Sequence, residues 1–264
     1  MGSGARPHRI DRVMPHRYLM LQLESPMVAF GDTMIDSRGP IRETPSTSAI
    51  SGLLGNALGF RREQSARLSR MQERIVFGCR LDHVDTRLTD FQTAQLNGKD
   101  RGWTTSGAIQ ERAGGANTFD SPHIRERDYD SNVRIVLALR LRDAEEQPTI
   151  DDLAHAVQWP ARPLFLGRKC CLPSAPIFDG FVEAEDAMDA LLRTPVRARR
   201  RRSTREEQGD RFLVTLPADE ACPDGFETVY STEWRDWPAG VHAGEQRRFR
   251  GTVERARFAT EATA

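Results

Sequence analysis

Lysine is nearly absent from this chain. Of 38 basic residues only Lys99 and Lys169 are lysines, which leaves 36 arginines; 38 acidic residues balance them to a formal net charge of zero. No global field therefore draws the protein onto nucleic acid, and any such contact is local. Cysteine is scarce as well. Cys79, Cys170, Cys171 and Cys222 contain no C-x-x-C pair, and adjacent Cys170 and Cys171 make a poor disulfide framework, which points to a reducing cytoplasm. The six histidines never approach H-x-x-x-H or H-E-x-x-H spacing, so no metal and no cofactor is expected. No apolar run reaches the roughly 18 residues that span a bilayer. Residues 1–13 are polar and lack the apolar core of a signal peptide, and they read as a tag or N-terminal extension. No nucleotide loop, triad spacing or paired-carboxylate motif appears, which argues against an ordinary metabolic enzyme. With 264 residues the chain can bury a full core.

Hydrophobic periodicity orders what is present. Leu19, Leu21 and Leu23 alternate with Met20, Gln22 and Glu24, which predicts a first strand. Ile50, Leu53, Leu54, Ala57 and Leu58 fall at helical spacing and predict a helix over 47–59, started by Pro45 and Ser46. A charge-rich second helix is expected over 62–74. Strands follow at 75–82 and 133–141, the latter with Val133, Ile135, Leu137, Leu139 and Leu141 on one face and arginines 134, 140 and 142 on the other. Thr149 with Asp152 three residues on reads as a capping box for a helix through Val157. Pro160 and Pro163 end it before a short strand at 164–166. The order strand, helix, strand, strand, helix, strand predicts an α+β fold, a ferredoxin-like, split βαβ (RRM-like) domain over 14–178.

Between the second and third strands, residues 91–130 are rich in Gly, Thr, Ser, Asn and Arg. A hairpin needs only a few linking residues, so this insertion reads as an arm projecting from the sheet. After 178 a smaller β-rich part is expected, with a helix at 183–192, strands at 212–216 and 226–234, and an Arg-rich loop at 193–205 that reads as a solvated loop able to track phosphates.

Two strings carry chemistry. Residues 25–59, SPMVAFGDTMIDSRGPIRETPSTSAISGLLGNALG, run a loop bearing Arg38 and Arg42 into a helix N-terminus, where unpaired backbone N–H groups favour an anion. Residues 164–178, LFLGRKCCLPSAPIF, place Arg168 and Lys169 on a turn that Gly167 opens. In succession, the P-M-V-A-F-G loop, T-P-S-T-S-A-I-S-G-L-L-G and L-G-R-K-C-C-L-P-S resemble the CasD-type members of the Cas-five family, subunits of type I-E CRISPR Cascade effector complexes. D-F-Q-T-A at 90–94 and R-D-Y-D-S-N-V at 127–133 are similar to that family's segments flanking its thumb hairpin. The resemblance covers about residues 18–178.

That resemblance implies a non-catalytic, RNA-binding subunit. It would hold the 5′ handle of the crRNA, cap a filament of CasC backbone subunits beside the large subunit CasA, and meet target DNA indirectly. Single-stranded RNA needs a phosphate cradle and surfaces for splayed bases. The cradle candidates are Arg38, Arg42, Ser46, Ser48, Arg168 and Lys169, and the arm adds Trp103, Gln110 and Arg112. The enzymatic rival is a metal-independent endoribonuclease that processes repeat RNA, as relatives in type I-C systems do. Such a nuclease needs a positioned base and acid. His123 and Lys99 are the thumb's only histidine and lysine, and nothing in the sequence brings them together.

Overall fold

The computed structural model describes residues 14–34, 37–95, 102–103, 108–110, 122–197 and 210–260. The chain enters through β1 (His16–Val28), and both faces of this strand are buried. Leu19, Leu21 and Leu23 point into one core, while Tyr18 and Met20 point into another. Three two-residue strands follow, β2 (Phe30–Gly31), β3 (Arg38–Gly39) and β4 (Ile41–Arg42). Helix α1 (Thr47–Ala57) starts where expected: Ser46 is its N-cap and accepts from the Ala49 N–H at 3.2 Å, a bond of the kind worth about 1 kcal/mol. Helix α2 (Ser65–Arg74) begins three residues later than its charge pattern suggests. Its last residue, Arg74, is fully buried and donates to the carbonyls of Arg142, Asp143, Glu146 and Pro148.

Strand β5 (Ile75–His83) leads into β6 (Arg87–Ala94), then the small β7 (Gly102–Trp103) and β8 (Ile109–Gln110), and then β9 (His123–Leu141). The nineteen-residue β9 is the spine of the molecule. Its C-terminal half pairs with β1 and β5, and its N-terminal part pairs with β6 from Arg87↔Asp130 to Ala94↔His123. The arm is thus a two-stranded ribbon continuous with the sheet, and β7 pairs with β8 further out.

Helix α3 (Ile150–Gln158) carries the expected capping box, with Thr149 and Asp152 bonded to each other's backbone. Two expectations fail beyond it. Residues 164–166 form no strand. Leu166 instead closes a turn with Cys171 and donates no bond to a ladder, although Leu164 and Leu166 are buried as their alternation suggests. The strand that pairs with β1 is β10 (Phe178–Ala184), whose pattern is broken by Gly180 at φ 102° and by a register shift opposite Leu19 and Leu21. The helix expected at 183–192 is α4 (Ala187–Arg193), because Glu183 and Ala184 belong to β10 and Asp186 is the cap.

Strands β11 (Arg211–Pro217), β12 (Glu227–Ser231) and β15 (Gln246–Glu254) extend the same sheet, with β13 (Arg235–Asp236) and β14 (Val241–His242) forming a separate hairpin between them. The strand order is β10-β1-β9-β5-β11-β15-β12. Every pairing along it is antiparallel. Helices α1, α2 and α3 cover one face; α4 packs on the other, in a second core with Tyr18, Met20, Phe212, Val214, Leu216 and Phe249. That second cover buries Arg80 completely, where it forks onto Asp82 and donates to the carbonyls of Leu191 and Thr194 at 2.9 Å. A buried guanidinium is tolerable because its donors are matched. Among the described residues no helix is long and apolar enough to cross a membrane, and all four cysteines are free.

Candidate nucleic-acid interface

The two motif strings, more than a hundred residues apart, lie side by side. Backbone bonds run from Ser174 N to Glu24 O and from Ala29 N to Leu166 O, and Ser25 Oγ donates to Leu172 O at 2.7 Å. Gly167 sits where they touch, at φ 98°. A Cβ there would stand 2.0 Å from the Ala29 carbonyl oxygen, so only glycine fits.

The arginine after it serves the frame. Arg168 donates to Asp128 O at 2.7 Å and Gly39 O at 3.1 Å, and its guanidinium lies 4.6 Å from the Tyr129 ring centre. It ties the 164–172 turn to the root of the ribbon and to β3, which runs parallel to β9 at Glu126 and Arg127. Burial and the Cys170 thiol push the Tyr129 phenol up from its ordinary range. Lys169, the next residue, is exposed.

Arg42 and the α1 N-terminus are engaged within the chain. Arg42 pairs with Asp32 at 2.8 Å and with Glu233 at 3.6 Å, and its side chain is only 17% exposed. Glu233 in turn accepts from the Thr47 N–H at 3.2 Å. The carboxylate that this helix end attracts is therefore Glu233, supplied 186 residues downstream. Ser46 and Ser48 are buried and share a 3.0 Å hydrogen bond. Arg38 is different: its side chain is 62% exposed and, among the described residues, its one ion pair, to the buried Asp128, is 3.5 Å long.

Ser46, Ser48, Gly167 and Arg168 line a cleft of about 420 Å³. Ala29, Phe30, Gly31, Ser46 and Ser48 line one part of it and Phe165, Gly167 and Arg168 another, while Arg235, Trp237 and His242 of the β13–β14 hairpin close it. Burial, then the Arg235 and Arg42 charges, push the His242 pKa down. Arg38 and Lys169 are not in the lining; they are exposed cations whose chain neighbours Gly39 and Arg168 are bonded to each other.

On the arm, β7 contains Trp103 and β8 contains Gln110, placed in one small hairpin by the pairs Gly102↔Gln110 and Trp103↔Ile109. Arg112 and Lys99 lie outside the described residues, as do 198–209 of the Arg-rich loop. His123 opens β9 opposite Ala94. The sequence reading missed Glu233, Arg235, Trp237 and His242. The run W-R-D-W-P-A-G-V-H, with turn residues between aromatics, was the available sign of a hairpin.

Comparison with known proteins places this arrangement. The model of the CRISPR-associated protein (Cas_Cas5) family matches residues 18–249. The chain is a member of the Cas5 family. The CasD resemblance is borne out: the "CRISPR system Cascade subunit CasD" of Escherichia coli (strain K12) is 29% identical over 175 residues, 66% of this chain and 75% of that protein. Two solved structures share the fold. A chain of a CRISPR RNA-guided surveillance complex is 17% identical with a TM-score of 0.58, over 90% of this chain and 89% of its own. A Cas protein crystal structure is 22% identical with a TM-score of 0.53, over 92% and 98%. The Cas5 match extends well past residue 178, so the C-terminal strands and the hairpin that closes the cleft belong to the family's extent.

Proposed function

We propose that this Cas5 protein is a non-catalytic subunit of a CRISPR surveillance complex that holds the 5′ handle of the crRNA in the cleft beside α1. The observation that carries the reading is the pair of exposed cations, Arg38 and Lys169, brought together at the root of the ribbon because Arg168, in the cleft wall beside Lys169, bonds Gly39 beside Arg38. Arg168, Arg42, Ser46 and Ser48 act one step back: they fix the turn, β4 and the helix start that shape the cleft. The ribbon, with Trp103 and Gln110 on the small hairpin beyond it, is the thumb that covers the RNA, and Arg112 is assigned to the same contact. The unit of β1, α1, β5, β9, α3 and β10, in the order β10-β1-β9-β5, fits a ferredoxin-like plan spanning about 14–178, and the 179–264 part completes the cleft from the other side. In the assembly the subunit caps a CasC filament next to CasA in the cytoplasm and meets target DNA only through the complex. The names and folds of its relatives support this role.

The test is RNA retention. Each phosphate contact to single-stranded RNA contributes about −0.7 to the slope of log affinity against log salt. Arg38→Glu with Lys169→Glu is expected to flatten the slope by about 1.4, and an unchanged slope would place the RNA elsewhere. Repeat RNA incubated with the purified protein is expected to stay intact with or without EDTA. Cleavage that His123→Ala abolished would install the nuclease reading.

A further inference from the structure

The β13–β14 hairpin holds an unbalanced group of positive charge. It is anchored to α2, where Gln72 Nε2 donates to Arg235 O at 3.0 Å, and it turns through Gly240 at φ 73°. A Cβ on Gly240 would meet Arg62 Nη2 at 3.0 Å and Arg235 Nη2 at 3.9 Å, so two guanidinium groups from distant parts of the chain converge on one turn. Arg17, Arg70 and Arg142, by contrast, pair with Asp151, Glu146 and Asp219. Arg62 and Arg235 have no such partner among the described residues. Asp236, next to Arg235, accepts from Ala239 N–H, and Asp32 in the cleft wall pairs with Arg42.

Arg235 uses one amino group on Gly240 O at 3.0 Å and lies 5.1 Å from the Trp237 ring centre. Its Nε is buried and unpartnered, and so is the Trp237 indole nitrogen. Both side chains stand in the wall of the cleft. Burial and the Arg62 charge push the Arg235 pKa down, the mark of a cation lacking a counter-charge. A buried donor without an acceptor is a standing penalty that a ligand oxygen removes, and paired planar guanidinium forks match the oxygens of a phosphate.

We propose that Arg62 and Arg235, backed by the Trp237 indole N–H, form a phosphate subsite that grips one phosphodiester of the strand in the cleft. The proposal rests on the reading of the cleft as an RNA site and extends it to the C-terminal hairpin. It makes that hairpin the second jaw of the grip, facing Arg38 and Lys169.

The full-length protein is titrated into a fluorescently labelled 12-nucleotide single-stranded RNA at 50–300 mM KCl and followed by anisotropy. The variants are Arg62→Glu, Arg235→Gln and Lys169→Glu, each checked by its unfolding midpoint. Arg62→Glu is the decisive one because Arg62 is exposed and, among the described residues, its side chain makes no hydrogen bond or ion pair that holds the hairpin. The proposal expects Arg62→Glu and Arg235→Gln each to flatten the salt slope by about 0.7 and weaken binding several-fold with the midpoint of Arg62→Glu unchanged. Slopes equal to wild type in both, with Lys169→Glu still flattened, overturn the subsite and leave the cleft reading standing. Salt-independent binding by the wild type overturns both. Inorganic phosphate supplies the last arm: if it raises the wild-type midpoint but not that of Arg62→Glu while RNA slopes stay equal, the pair takes free anion and its assignment to the strand falls.

Discussion

Arg168 and Lys169 are adjacent in sequence and opposite in role. Arg168 bonds two backbone carbonyls from different segments and stacks on Tyr129, whereas Lys169 faces solvent. Arg168→Lys keeps the charge but not the fork that reaches both carbonyls. We expect it to cost about 1–3 kcal/mol in denaturant unfolding, while Lys169→Glu stays within about 0.5 kcal/mol of wild type and weakens RNA binding. The reverse result would make Arg168 the ligand and Lys169 the support. Tyr18 gives a second test at this scale. Its buried hydroxyl donates to Glu220 at 3.1 Å and accepts from Arg140 at 3.3 Å, and burial, followed by the Glu220 charge, raises its pKa above the ordinary phenol value of about 10. A raised folded pKa means that the native state keeps a proton that the unfolded chain releases. The stability from neutral Tyr18 is therefore complete below pH about 10 and is lost as pH climbs above it. Tyr18→Phe should cost about 0.5–1.5 kcal/mol at pH 7 and show a shallower decline from pH 9 to 11. Parallel declines in urea midpoint would contradict the assignment.

The arm is the element whose behaviour separates core from function. β6 and the first residues of β9 pair with each other over eight positions, and Leu88, Phe91 and Ile124 on them are exposed, so the ribbon buries little of its apolar surface. We expect replacement of residues 95–122 by a short Gly-Ser linker to leave cooperative unfolding intact and to abolish assembly with guide RNA and the backbone subunit. Loss of the cooperative transition would mean that the arm is part of the core. Elements with strong periodicity were legible in the sequence. Leu, Ile and Val at spacing 2 and 3.6 located the cores of β1, β5, β9, α1 and α3, and Thr149 with Asp152 marked a helix start to the residue. β10 was not legible because Gly180 and the bulge opposite β1 interrupt its alternation. The site was half legible for a different reason. A sequence shows that Arg42 is charged, but its counter-charge, Glu233, arrives from the far end of the chain. Long-range pairing decides whether an arginine is a ligand or a brace, and local pattern carries no record of it.

At the scale of the whole molecule, neutrality and recognition are reconciled by pairing. Most of the described arginines are matched to carboxylates or carbonyls, so much of the zero net charge is built into the fold, and Arg235, which has no carboxylate partner among the described residues, stands in the cleft wall with Arg62 converging on the same turn. On the proposed reading, a protein arranged this way has little general affinity for nucleic acid and a local grip on one strand. The measurement that tests this most directly is purification of the protein, co-expressed with its CRISPR array and partner subunits, followed by sequencing of the RNA that stays bound. The account predicts RNAs sharing one repeat-derived 5′ end, lost when Arg38 and Lys169 are both changed to glutamate. Bound RNA with scattered 5′ ends, or a uniform end retained by that variant, would contradict it.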